Sequence, residues 1–132
     1  MKVLLADDSE VMRRSIRRLL KEYPEIELVA ETFNFQQTIQ AAKERVPDVI
    51  LLDLHMPNPE NLTLEQIRTA CQGCQIIAIS VFNDEETKTL AEKLGAAELL
   101  DKIDLGEQLV PSIQRLKRGL IWFISIFFER AR

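Results

Sequence analysis

Val49-Ile50-Leu51-Leu52-Asp53 is four apolar residues closed by an acid, and Leu54-His55-Met56-Pro57 follows. A strand-length run without alternation reads as a strand buried on both faces, as central strands of parallel sheets are. The same form recurs along the chain. Val3–Ala6 ends in Asp7-Asp8, Ile76–Ile79 in Ser80, and Glu98–Leu100 in Asp101-Lys102. Ile26–Glu31 is a fifth run of strand length. Between the runs lie stretches of helical period. Ser9–Lys21 carries Met12, Ile16, Leu19 and Leu20 on one face, with Ser9 as N-cap. Phe35–Arg45 is stopped before Pro47. Glu60–Cys71 precedes Gly73, and Asp84–Leu94 opens on three acids and closes at Gly95. A last helix starts near Leu105 and holds Pro111, where a bend or a restart is expected. Strand and helix alternate five times, which predicts an α/β domain with one parallel sheet and helices on both faces.

Composition narrows the function. The 132 residues make one domain, and 46% apolar with 29% charged is too apolar for a disordered chain. Lys plus Arg is 17 against 21 for Asp plus Glu, a net charge of −4, which disfavours a general nucleic-acid binder. Two Cys exclude a disulfide-stapled scaffold. The acids at positions 7 and 8 cut the first apolar run too short for a signal peptide, so a reduced, cytoplasmic setting is expected.

In a parallel sheet all strands point one way, so the residues that close them gather at the carboxyl edge, where ligands bind. Asp7, Asp8 and Asp53 would repel one another there, and a divalent cation removes the conflict. Oxygen ligands with open positions suit Mg²⁺. Asp53 is then placed to attack a phosphoryl group, with Lys102 and Ser80 meeting its oxygens.

These residues resemble the receiver domain of a bacterial two-component response regulator. The likeness rests on Asp7-Asp8, Asp53 in Leu-Leu-Asp-Leu-His-Met-Pro, Ser80 and Lys102, and it covers about Lys2 to Leu116. It implies a flavodoxin-like sheet of order 2-1-3-4-5 and a signalling role, with no catalysis beyond the domain's own phosphorylation and dephosphorylation. By the same likeness Asp8 and Asp53 ligate Mg²⁺ directly, Asp7 does so through water, and the backbone carbonyl of His55 completes the set. A histidine kinase or phosphotransfer protein is the implied donor. Glu25–Glu31 followed by Asn34 is similar to receivers with a helix-turn-helix output, which the residues after Leu116 are too few to build. The alternative is therefore the receiver part of a DNA-binding regulator whose output domain is missing.

Several positions depart from the family pattern. Leu99 stands where receivers carry Tyr or Phe, Ile103 where Pro is common, and Val81 where a small residue is usual. His55 and Phe82 occupy the two positions that in the family tune the lifetime of the acyl phosphate. A haloacid-dehalogenase-type phosphohydrolase also uses a strand-end Asp and Mg²⁺, but it needs a second Asp where His55 stands. A lone loop His reads as solvated, and Cys71-Gln72-Gly73-Cys74 as two small residues at a helix end. Arg13, Arg14, Arg17 and Arg18 form a basic stripe, read as a solvated face or as a docking surface for an acidic partner.

We divide the chain into a receiver, 1–118, and an apolar helical extension, 119–132. Leu120–Phe128 holds four of the chain's eight aromatics with one polar residue, and is too short to span a bilayer. Such a helix is expected to be buried in a homodimer or partner groove, with its own domain or a lipid surface as alternatives. The fourth helix, fifth strand, fifth helix and tail form the expected output face.

Overall fold

The structure is a computed structural model that describes the backbone of residues 1–130 and the side-chain surroundings of residues 1–117. Its strands are β1 (Lys2–Ala6), β2 (Glu27–Thr32), β3 (Val49–Asp53), β4 (Gln75–Ser80) and β5 (Glu98–Asp101). All pair in parallel in the order β2-β1-β3-β4-β5. The helices are α1 (Glu10–Leu20), α2 (Phe35–Arg45), α3 (Leu64–Ala70), α4 (Glu85–Lys93) and α5 (Leu105–Arg130). A 3-10 turn, Lys102–Asp104, joins β5 to α5.

Side chains alternate across a strand, so each central strand feeds two cores. Val3, Leu5, Val49, Leu51, Ile77 and Ile79 pack with Ile16 and Leu20 of α1 and with Leu109 and Ile113 of α5. Leu4, Ile50, Leu52, Ile76 and Ala78 face the other way, onto Phe35 and Ala42 of α2, Ile67 of α3, and Ala91 of α4. Every residue of β3 is buried, which explains its lack of alternation.

The helix starts follow their caps. Ser9, Asn34, Thr63 and Asp84 each accept a backbone N–H of the first turn. The third helix departs from expectation. It begins at Leu64 rather than Glu60, because Asn58 closes a turn onto Leu62 through both side-chain atoms and Asn61 takes φ +51°. The capping box of Thr63 and Gln66 then fixes the start. The fifth helix does not restart at Pro111 and runs through it. Leu109, Val110 and Ile113 are buried on both sides of the proline, and that burial offsets the lost N–H. The expected burial of Leu120–Phe128 and the docking assigned to it lie outside the described side chains. Among the described residues no helix is long and apolar enough to cross a membrane.

Candidate functional site

Strand ends build the site. Asp7 follows β1, Asp53 closes β3, Ser80 closes β4 beside Asp101 of β5, and Lys102 opens the 3-10 turn. The sheet thus brings Asp7, Asp8, Asp53, Ser80 and Lys102 to one edge, as the sequence predicts.

Asp7 and Asp53 are buried and Asp8 is exposed; one carboxylate oxygen from each lies within 4.8 Å of the others. Lys102 Nζ stands 2.9 Å from Asp7 Oδ2 and 3.3 Å from Asp53 Oδ2. The other oxygens are fixed by backbone. The Ser9 N–H donates to Asp7 Oδ1 at 2.8 Å, and the His55 N–H to Asp53 Oδ1 at 3.0 Å. Burial pushes the Asp53 carboxyl above its ordinary value, and Asp7 adds to the rise. The His55 N–H and Lys102 pull it down without cancelling the rise. Burial also works against the Lys102 charge, but attraction by Asp7 and Asp53 outweighs it and holds the ammonium above its usual value.

The donor set fits a hard divalent cation. One lysine faces three carboxylates, and the buried Asp7 Oδ2 has no aligned hydrogen-bond donor despite its nearness to Lys102. Oxygen-only ligands, one of them exposed, suit Mg²⁺ with retained waters.

Ser80 is held by partners other than the carboxylates. Its fully buried Oγ accepts the Phe82 N–H at 2.9 Å and lies 3.1 Å from His55 Nε2. His55 is therefore engaged rather than merely solvated, and Phe82 meets its ring edge-on at 5.0 Å between centroids. These positions are 25 residues apart in sequence, so no local pattern signals the contact.

Arg13 is the residue that sequence reasoning under-read. Its Nη1 donates to the Asp7 carbonyl at 2.7 Å, its Nε stands 3.5 Å from Glu31, and its guanidinium lies over Phe33. Arg17 adds two hydrogen bonds to Glu31 at 2.8 Å, which hold that carboxyl below its ordinary value. Arg14 pairs with Glu10. Much of the basic stripe thus ties α1 to β2, and of its four members only Arg18 makes no ion pair among the described residues. The two cysteines are free. Burial pushes the Cys71 thiol up to about 11 and raises Cys74 as well, so neither is a ready nucleophile at neutral pH.

A sequence profile of the response regulator receiver domain matches residues 3–114. The chain is 36% identical over 118 residues to the nitrate/nitrite response regulator protein NarL of Escherichia coli, covering 89% of this chain and 55% of that protein. It is also 36% identical over 105 residues to a protein-glutamate methylesterase/protein-glutamine glutaminase of Carboxydothermus hydrogenoformans, covering 78% of this chain and 30% of that one. The chain thus spans about half or less of the curated relatives it matches. Among solved structures, the non-phosphorylated receiver of the Escherichia coli stress regulator RcsB superposes with a TM-score of 0.82 at 20% identity, covering 90% of this chain and 94% of that one. That likeness concerns the fold.

Proposed function

The chain belongs to the response regulator receiver family, and we propose that Asp53 accepts a phosphoryl group from a histidine kinase or phosphotransfer protein in a Mg²⁺-dependent step. The observation that carries this reading is the buried Asp53 carboxylate held between Asp7, Asp8 and Lys102 at the carboxyl edge.

The His55 N–H fixes Asp53 Oδ1, leaving Oδ2 as the attacking oxygen. Attack on phosphorus forms the P–O bond of an aspartyl phosphate, and the bond to the donor's leaving group breaks. Lys102, already 3.3 Å from that oxygen, pairs with the incoming phosphoryl oxygens. Asp7, Asp8, Asp53 and the carbonyl of His55 would hold Mg²⁺, which supplies charge neutralisation when bound. Ser80 donates its hydroxyl to the phosphoryl group after leaving its present partners. That movement carries Val81–Asn83 with it and shifts α4, so the output is a change of protein-binding face.

Residues 1–118 act as the receiver and 119–132 as an extension available to a homodimer or protein partner, with a lipid surface as the lesser alternative. We place the domain in the cytoplasm, with no direct nucleic-acid contact. A second reading is favoured by the 55% coverage of the NarL-type relative. In it, the chain is the receiver part of a longer DNA-binding regulator. The native mass of the protein in its own cells separates the two.

The test of the site is phosphorylation by a small-molecule phosphodonor in Mg²⁺, followed by intact mass. Wild-type protein gains one phosphate and Asp53→Asn gains none. Labelling that persists in the variant overturns the assignment.

A further inference from the structure

Ser80 Oγ, His55 and Phe82 form a closed triangle. The Phe82 N–H donates to Oγ, His55 Nε2 stands at hydrogen-bond distance from Oγ, and the two rings meet edge-on at 81°. The His55 N–H on Asp53 Oδ1 ties this triangle to the phosphoacceptor. Ser80 makes no described hydrogen bond to Asp53 or Lys102; Lys102 contacts Asp7 and Asp53, and Asp53 otherwise takes the His55 N–H.

On the reading of Asp53 as phosphoacceptor, a phosphoryl group there and the His55 ring compete for one hydroxyl. The His55 contact then exists in the unphosphorylated state alone, and an interaction made in one state opposes departure from it. We propose that His55 is a positioning residue that latches the Ser80 hydroxyl before phosphorylation and so holds the switch in its resting state. Its action precedes phosphoryl transfer and is distinct from any influence on the lifetime of the acyl phosphate. No change of charge is needed: the latch uses the Nδ1–H tautomer, in which the Ser80 hydroxyl donates to Nε2 and has no proton left for a phosphoryl oxygen. The rings also have room to move, since His55 and Phe82 border a cavity of about 690 Å³ between α4 and Leu64 at the start of α3.

A neutral hydrogen bond made in one state only biases the equilibrium about two- to tenfold. The readout is affinity for beryllofluoride, a phosphoryl mimic, in saturating Mg²⁺. His55→Ala is expected to bind it about two- to tenfold more tightly than wild type. His55→Phe keeps the ring and its packing on Phe82 without the nitrogen, and is expected to match His55→Ala. In a Ser80→Ala background neither substitution has an effect, because the latched group is gone. A second readout needs no loaded site: Phe82 amide exchange in metal-free protein is faster in both His55 variants. Unchanged or weaker affinity in His55→Ala, wild-type affinity in His55→Phe, or tightening that survives Ser80→Ala each overturns the latch. If wild type does not bind the mimic, or Asp53→Asn binds it equally well, the phosphoacceptor reading fails instead.

Discussion

Asp53 carries opposite obligations to the fold and to the chemistry. Burial and the Asp7 charge raise its pKa above the ordinary 3.8, so its ionised form costs stability in metal-free protein. The native state then holds a proton that the unfolded chain has lost, and stability falls as pH rises from 3.8 through the folded value. Asp53→Asn is therefore expected to raise Tm by a few degrees at pH 7 in chelator, with the gain shrinking as pH falls through the folded value and gone below 3.8. Thermal melts of both proteins across that range check it; a gain that persists in acid overturns the electrostatic account. Asp53 was legible as the end of an apolar run. The Arg13 bond to the Asp7 carbonyl was not, because α1 must first dock on β2 before that guanidinium has a target.

Among the elements, α2 ends under strain. Its C-cap is Val46, at φ +45° and largely exposed. A β-branched residue there pays the left-handed penalty with little burial in return. Val46→Gly is expected to stabilise the protein by about 1 kcal/mol despite the added freedom of the unfolded chain, read as a higher urea midpoint with unchanged slope. Pro47 announced this helix end in the sequence, and Gly95 announced that of α4, where φ is +76°. The start of α3 was hidden. Asn58, Asn61 and Leu62 settle it through a polar turn of their own, while the pattern from Glu60 onward also suits a helix.

The whole molecule is one sheet between two cores. Ile113 is fully buried in the core under α1 and α5, and Ile67 in the one under α2, α3 and α4. Ile113→Val and Ile67→Val are each expected to cost about 0.5–1.5 kcal/mol and to add within about 0.5 kcal/mol when combined. A larger coupling in urea unfolding would show that the sheet transmits packing strain between them. The strand order also bears on birth at the ribosome. Residues through Asp53 can already assemble β2-β1-β3, leaving the apolar rim of β3 without a neighbour until β4 is made. At ~5–20 residues per second that interval lasts roughly one to five seconds. For that time the most hydrophobic strand of the nascent chain is an open template for a stranger's backbone, and chaperone occupancy during translation is expected to peak there.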